Sequence, residues 1–274
     1  MFEDQNGGSV IFRLQLLGKL TLSYDGEIID IPGRQLQVLL ALLAINANRP
    51  VSKGWLTGEI WDNACDVRSN ALHALVFRLR KLLAGRISED FAARRLVTSN
   101  RGYQLCLEEG ELDITTFETL VSRAQRDKAV DPVLALAHAH AALDLWHSPA
   151  LEDLRAGECL SGVAARLEEQ HLWARELQVD LAIEAGRYAS VRGVLRELTL
   201  RYPFNERFSE WYMLALYHSG RQTEALGEFR RISRALRSEL GLEPCPPLRE
   251  LQQAVLRHSV PVAYQGSLVE GGTA

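Results

Sequence analysis

The stretch RSNALHALVFRLRKLLA, running from Arg68 to Ala84, collects residue types suited to holding an anion. Read at helical spacing, Leu72, Leu75, Leu79 and Leu82 fall on one face, and Val76 and Leu83 widen that stripe. The opposite side carries Asn70, His73, Ala74, Phe77 and Lys81, flanked by Arg78 and Arg80. No aspartate or glutamate occurs between Asn70 and Leu83. Surface helices usually set acids one turn away from their bases, which neutralises the field locally. This one does not, so its exposed flank calls for an anionic partner.

The surrounding charge agrees. The chain of 274 residues has a net charge of −4, but Ala64–Gln104 holds eight basic residues against three acidic ones. Salt screens the field beyond about 10 Å, so a local basic patch governs phosphate binding more than the global balance does. Catalytic chemistry finds little support. His138 and His140 stand two apart, on different faces of a helix, and make no metal pair. There is no HExxH, GxSxG or GxxxxGK[ST] pattern, and the pairs Glu108-Glu109 and Glu168-Glu169 read as solvated faces. Trp146, Trp173 and Trp211 read as core residues of amphipathic helices. Cys65, Cys106, Cys159 and Cys245 are scattered without a CxxC pair, which points to reduced thiols with neither disulfides nor zinc. No run of eighteen apolar residues crosses a membrane, and the acidic MFEDQNGGSV start is unlike a secretory signal, so a cytoplasmic, nucleoid-associated protein without cofactors is expected.

Several elements must position that flank. VIFRLQLL, KLTLSY and EIIDI read as short antiparallel strands, with Asp25-Gly26 as a hairpin turn. QLQVLLALLAINA reads as a helix through Leu36, Leu39, Leu40 and Leu43, ending between Asn46 and Pro50. Ser52 caps a short helix, SKGWLTGEIW, with Lys53 in its first turn, where free N–H groups favour a phosphate. After the basic helix, RRLVTSNRGYQLCL forms a hairpin with strands near Leu96–Thr98 and Tyr103–Leu107 and a tip bearing Asn100 and Arg101. Small sheet, three helices and hairpin is the order of a winged helix-turn-helix, whose second helix-turn-helix element fits a major groove.

From about Glu111 the pattern becomes long and helical, with 18 basic and 23 acidic residues in 111–274. AGRYASVRGVLREL and SGRQTEALGEFRRI place Gly186 and Gly220 one tetratricopeptide period apart. Such stacked pairs offer a surface for proteins. The expected architecture is mainly α with small β: a winged helix over 1–110, a helical repeat domain over 111–257, and a disordered tail over 258–274.

These motifs resemble a known family. LQVLLALLAINANRPVSKGWL, NALHALVFRLRKLL and RGYQL are similar to the DNA-binding domain of OmpR/PhoB-type response regulators. DITTFETLV, ALDLWHSPALEDL, RLEEQHLWARELQVDLAIEAGRY, MLALYHSGRQTEAL and RSELGLEPCPPLREL resemble the bacterial transcriptional activator domain. Together they resemble a short Streptomyces antibiotic regulatory protein over residues 10–256. The resemblance implies a pathway-specific activator that binds direct repeats near promoters, as a homodimer at least on DNA, and recruits RNA polymerase holoenzyme. It gives Arg78 a base contact and Arg80 and Lys81 phosphate contacts, and sends Arg101 into a minor groove, with Arg68 and Asn100 beside them. Asn70 either reads adenine or caps the helix; Phe77 either meets a thymine methyl or packs on the wing or another subunit. The family usually has a small polar residue at the position of Phe77 and often glutamine at that of His73, so base preference is expected to differ. Larger relatives append a nucleotide-binding module, which is not expected here. Two other readings stay open: a repeat scaffold whose basic unit docks on an acidic protein, and a ligand-responsive repressor.

Overall fold

The computed structural model describes residues 12–61, 69–154 and 157–260. Arg68 and the tail beyond Val260 lie outside the described residues. Two compact units emerge, one reaching to Arg123 and including His140–Ala174, the other made of Ala124–Ala139 and the chain from Arg175 onward.

The first unit begins with a three-stranded antiparallel sheet, β1 (Phe12–Gln15), β2 (Thr21–Tyr24) and β3 (Glu27–Ile29). Leu14 faces Leu22 and Leu22 faces Ile29, so one face of the sheet is leucine and isoleucine. Asp25 and Gly26 both take positive φ, 51° and 84°, the twist that a two-residue hairpin requires. Helix α1 (Arg34–Ile45) buries Leu36 and Val38 through Ala44. Helix α2 (Lys53–Trp61) starts where Ser52 Oγ accepts the Trp55 N–H at 3.2 Å, as its cap position predicts.

Helix α3 (Ser69–Arg86) leads into a short helix, α4 (Glu89–Arg95), that the sequence reading passes over. Ser88 caps α4 through its hydroxyl, Glu89 and Asp90 fill the first turn, and Arg94 and Arg95 the last. Strands β4 (Leu96–Ser99) and β5 (Gly102–Leu105) form the wing, with Thr98 opposite Tyr103 and a two-residue tip of Asn100 and Arg101. The second strand ends at Leu105 instead of Leu107. One apolar cluster joins Leu14, Leu39, Leu43, Leu79 and Leu105 with Phe117, Leu143 and Leu167.

Those last three residues come from α5 (Asp113–Asp127), α6 (Pro132–Leu143) and α7 (Glu158–Glu184), helices that each supply residues to both units. Asp113 fastens α5 to the sheet. Its Oδ2 accepts the N–H groups of Leu16 and Leu17 at 2.7 and 2.8 Å, and its Oδ1 accepts that of Ile114.

In the second unit α8 (Tyr188–Arg201), α9 (Glu206–His218), α10 (Gln222–Ala235) and α11 (Pro246–Leu256) follow the ends of α5–α7. α10 runs into a π-helical turn, Leu236–Leu240. The repeat glycines behave alike. Gly186 donates to Ile183 while Arg187 reaches back to Ala182, and Gly220 donates to Tyr217 while Arg221 reaches back to Leu216. Both glycines are left-handed, with φ 68° and 74°, so each Gly-Arg closes one helix and opens the next. Trp211 is buried as expected; Trp173, expected in the core, is 39% exposed.

Candidate nucleic-acid interface

Helix α3 divides its residues by face. Leu72, Leu75, Val76, Leu79 and Leu83 are each no more than 4% exposed, and Leu82 sits at the edge of the core. Burying a leucine is worth about 1.5–3 kcal/mol, so this seam fixes the rotation of the helix. Asn70, His73, Ala74, Phe77, Arg78 and Lys81 are then all exposed, at the i, i+3, i+4 intervals of a single flank. Phe77 is 66% exposed. Among the described residues, Arg78 and Lys81 have no acid within ion-pair distance.

Tyr103 joins the wing to both neighbouring helices. It is buried, which pushes its phenol above the usual value against the opposing charge of Arg80. Lys53 at the start of α2 is exposed and holds its Nζ 5.7 Å from the Tyr103 ring centre. The His73 ring meets Tyr103 edge-on at 6.3 Å. The Tyr103 backbone exchanges hydrogen bonds with Val51, at 2.7 and 3.0 Å. Gly102 beside it has φ 136°, and a Cβ there would come within 1.9 Å of the Val51 carbonyl oxygen. Only glycine fits that approach. At the tip Asn100 and Arg101 are exposed, and Ser99 Oγ accepts the Arg101 N–H at 3.2 Å.

The described cations of the basic segment therefore separate into groups. Arg78, Lys81 and Arg101 project freely on one helix and its wing. Arg80 is half-buried and turned to β4, donating to the Leu96 carbonyl and Thr98 Oγ1. Arg95 is structural, with a side chain 12% exposed that pairs with Glu111 at 2.6 Å and Glu108 at 3.1 Å. It also donates to the Cys106 carbonyl and lies over the Phe12 and Phe91 rings. Arg94 pairs loosely with Asp90 at the surface. Sequence reasoning missed Thr98, Val51 and the part played by Tyr103. The RGYQL string marks the tyrosine, but nothing local marks a hydroxyl or carbonyl that serves as an acceptor across the fold.

No group of three or more histidine, cysteine or acidic residues among the described residues could hold a metal, and His138 Nδ1 lies 3.0 Å from Asp127 Oδ2. No described helix is long and apolar enough to cross a membrane.

A buried helical seam, an acid-free exposed flank and a pinned hairpin beside it make up a winged helix with one basic face. Comparison with known proteins agrees. Residues 26–105 match the family model of the C-terminal domain of transcriptional regulatory proteins, and residues 112–256 that of the bacterial transcriptional activator domain. The chain is 31% identical to regulatory protein DnrI of Streptomyces peucetius, covering 89% of this chain and 92% of DnrI. It is 34% identical to transcriptional regulator RedD of Streptomyces coelicolor, covering 91% of this chain and 71% of RedD. It is 32% identical to transcriptional regulatory protein EmbR of Mycobacterium tuberculosis over 88% of this chain, and spans 62% of the length of EmbR. A solved structure of EmbR in complex with a low-affinity phosphopeptide superposes with a TM-score of 0.80 at 30% identity, covering 93% of this chain and 68% of that one. The chain belongs to the Streptomyces antibiotic regulatory protein family, with an OmpR-type DNA-binding domain and a bacterial transcriptional activator domain. That family consists of DNA-binding transcriptional regulators, the class to which the two matched domains belong.

Proposed function

We propose that this regulator is a cytoplasmic, nucleoid-associated activator that reads direct repeats near the promoters of a secondary-metabolite gene cluster, as a homodimer at least on DNA, and recruits RNA polymerase holoenzyme. Its division of labour follows residues 1–110 for DNA and 111–257 for activation, with 258–274 as a tail; the two family matches, ending at 105 and starting at 112, support it. The observation that carries the reading is the exposed, acid-free flank of α3 beside a wing tipped with a cation. An α-helix fits the major groove, where an arginine fork matches the two acceptors of guanine. Arg78 then reads a base, Lys81 and Lys53 meet phosphates, and Arg101 with Asn100 enters the neighbouring minor groove. Asn70, His73 and Phe77 face the same bases, Arg68 adds charge ahead of the helix, and Arg80 contributes its charge from the border of the flank.

Gel-shift titrations on the regulator's neighbouring promoters test this. Affinity should fall with salt at a log–log slope of about −0.9 per phosphate neutralised. Arg78→Ala should relax preference at one base pair by about 1–2 kcal/mol, whereas Lys81→Ala should weaken every sequence alike. Salt-independent binding, or a protein partner captured equally well in excess DNA, would turn the reading toward a scaffold. Transcription with purified polymerase decides between activation and repression.

A further inference from the structure

Arg80 stands at the border between the exposed flank of α3 and its buried seam, and its guanidinium does not project outward. Nε and Nη2 both donate to the carbonyl oxygen of Leu96, at 3.1 and 2.7 Å. Nη2 also donates to Thr98 Oγ1 at 2.7 Å. A guanidinium has five N–H donors, and these three contacts commit its Nε and Nη2 edge to the protein itself. Leu96 and Thr98 are alternate residues of β4, so one planar fork spans the strand.

The other wing strand is held differently. Tyr103 of β5 exchanges backbone hydrogen bonds with Val51, and Gly102 packs directly on the Val51 carbonyl. The wing thus has two anchors, a backbone bridge on β5 and the Arg80 side chain on β4. A two-stranded hairpin is marginal by itself, and here the exposed tip must present Arg101 at a set angle to α3.

We infer that Arg80 is a positioning residue for the wing: it fixes where Arg101 meets the duplex and is not itself a ligand of the phosphate backbone. This rests on the reading of α3 and the wing as the DNA-contacting elements. A lysine at position 80 keeps the charge and loses the planar fork, so it separates the two roles.

Hydrogen exchange on the free full-length protein tests the anchor without DNA. Arg80→Lys and Arg80→Ala should each speed exchange of the wing amides about tenfold while leaving the α1 amides unchanged. Thr98→Val, which alters no charge and leaves α3 intact, should speed the same amides about threefold. Binding to a duplex promoter fragment over a salt series then tests the consequence. Arg80→Lys should lose affinity about as much as Arg80→Ala, with the salt slope within about 0.3 of wild type. Arg101→Ala should cost less in the Arg80→Lys background, with a coupling of about threefold or more. The inference is overturned if Arg80→Lys binds like wild type, Arg80→Ala flattens the slope by about 0.9, and both leave wing exchange unchanged. A wild-type protein that binds no duplex would sink the interface reading instead, and wing exchange would still decide whether Arg80 holds the hairpin.

Discussion

Arginines on α3 and on the later repeat helices are the same residue in two settings. At the start of α10, Arg221 clasps Glu224 three residues on, at 2.5 and 2.6 Å, and within the helix Arg231 clasps Glu228 at 2.7 Å. Glu228, 7% exposed, also accepts the Ser209 hydroxyl, which ties α10 to α9. Within the π-helical turn, Arg237 pairs with Glu243, which follows it. On α3 the positions one turn from Arg78 and Lys81 hold Ala74, Phe77, Leu82 and Gly85 instead of acids. A cation with an acid one turn away closes its field on itself, whereas one without leaves it open to an approaching anion. Arginine content therefore says little about binding, and the acids beside it say a great deal. Arg95 adds a third setting, in which the same charge is drawn inside and serves the fold.

The largest test of this contrast is charge reversal. Arg78→Glu combined with Lys81→Glu should lower duplex affinity at least about 1000-fold at fixed salt, with an unchanged melting temperature. Arg221→Glu should leave DNA binding as it is. Gel shifts and thermal melts on both proteins check the pair of outcomes, and equal losses would erase the distinction between the two surfaces.

Arg95→Ala should act on stability. It leaves Glu111, whose side chain is 11% exposed, without its cation, at a cost of about 3 kcal/mol in urea denaturation. The salt slope of any remaining DNA binding should not change.

Asp113 offers a test by pH. Burial raises its carboxyl to about 6, against the pull of three backbone N–H groups and the charge of His147. The folded state therefore holds this proton more tightly than the unfolded chain, whose carboxyl titrates near 4. That stabilising contribution is complete below about pH 4 and is lost as pH rises through about 6. Measured against Asp113→Asn, wild-type stability should fall by about 2 kcal/mol between pH 4 and pH 7. A difference that stays flat across that range would show the carboxyl to be unperturbed.

The smallest effect is expected at an ion pair open to solvent. Arg221→Ala should cost no more than about 0.5 kcal/mol, because an exposed pair three residues apart is screened by water. A loss as large as that of Arg95→Ala would mean that the repeat arginines are not merely locally neutralised.

Much of the division of α3 into a buried and an exposed face was legible in the sequence. The leucine seam of α3 and the absence of acids on its other side are both local, and they set which residues face outward. Ser52 and Asp25-Gly26 act over two or three residues, and each did what its chemistry dictates. Helix α4 was missed although Ser88, Glu89 and Asp90 carry start signals, because seven residues are too few to show a period. Trp173 was misplaced for a related reason: one aromatic on a long helix does not declare its face. The compact units cut across sequence order, since contacts such as Leu151 N–H to the Leu16 carbonyl in the first and Lys128 to Asp180 in the second join segments far apart in the chain.

By itself, the sequence determined the order of elements, the turn chemistry, the repeat of glycines that closes α7 and α9, and the flank of α3 left without acids. Each of these depends on neighbours within a turn or two. Only the tertiary structure decided which cations remain available. Arg78, Arg80 and Arg95 look alike in a charge count, yet one faces solvent, one grips the β4 backbone and one is buried on Glu111. That outcome depends on which carbonyl or carboxylate the rest of the chain brings within about 3 Å, a distance set by packing and not by sequence spacing.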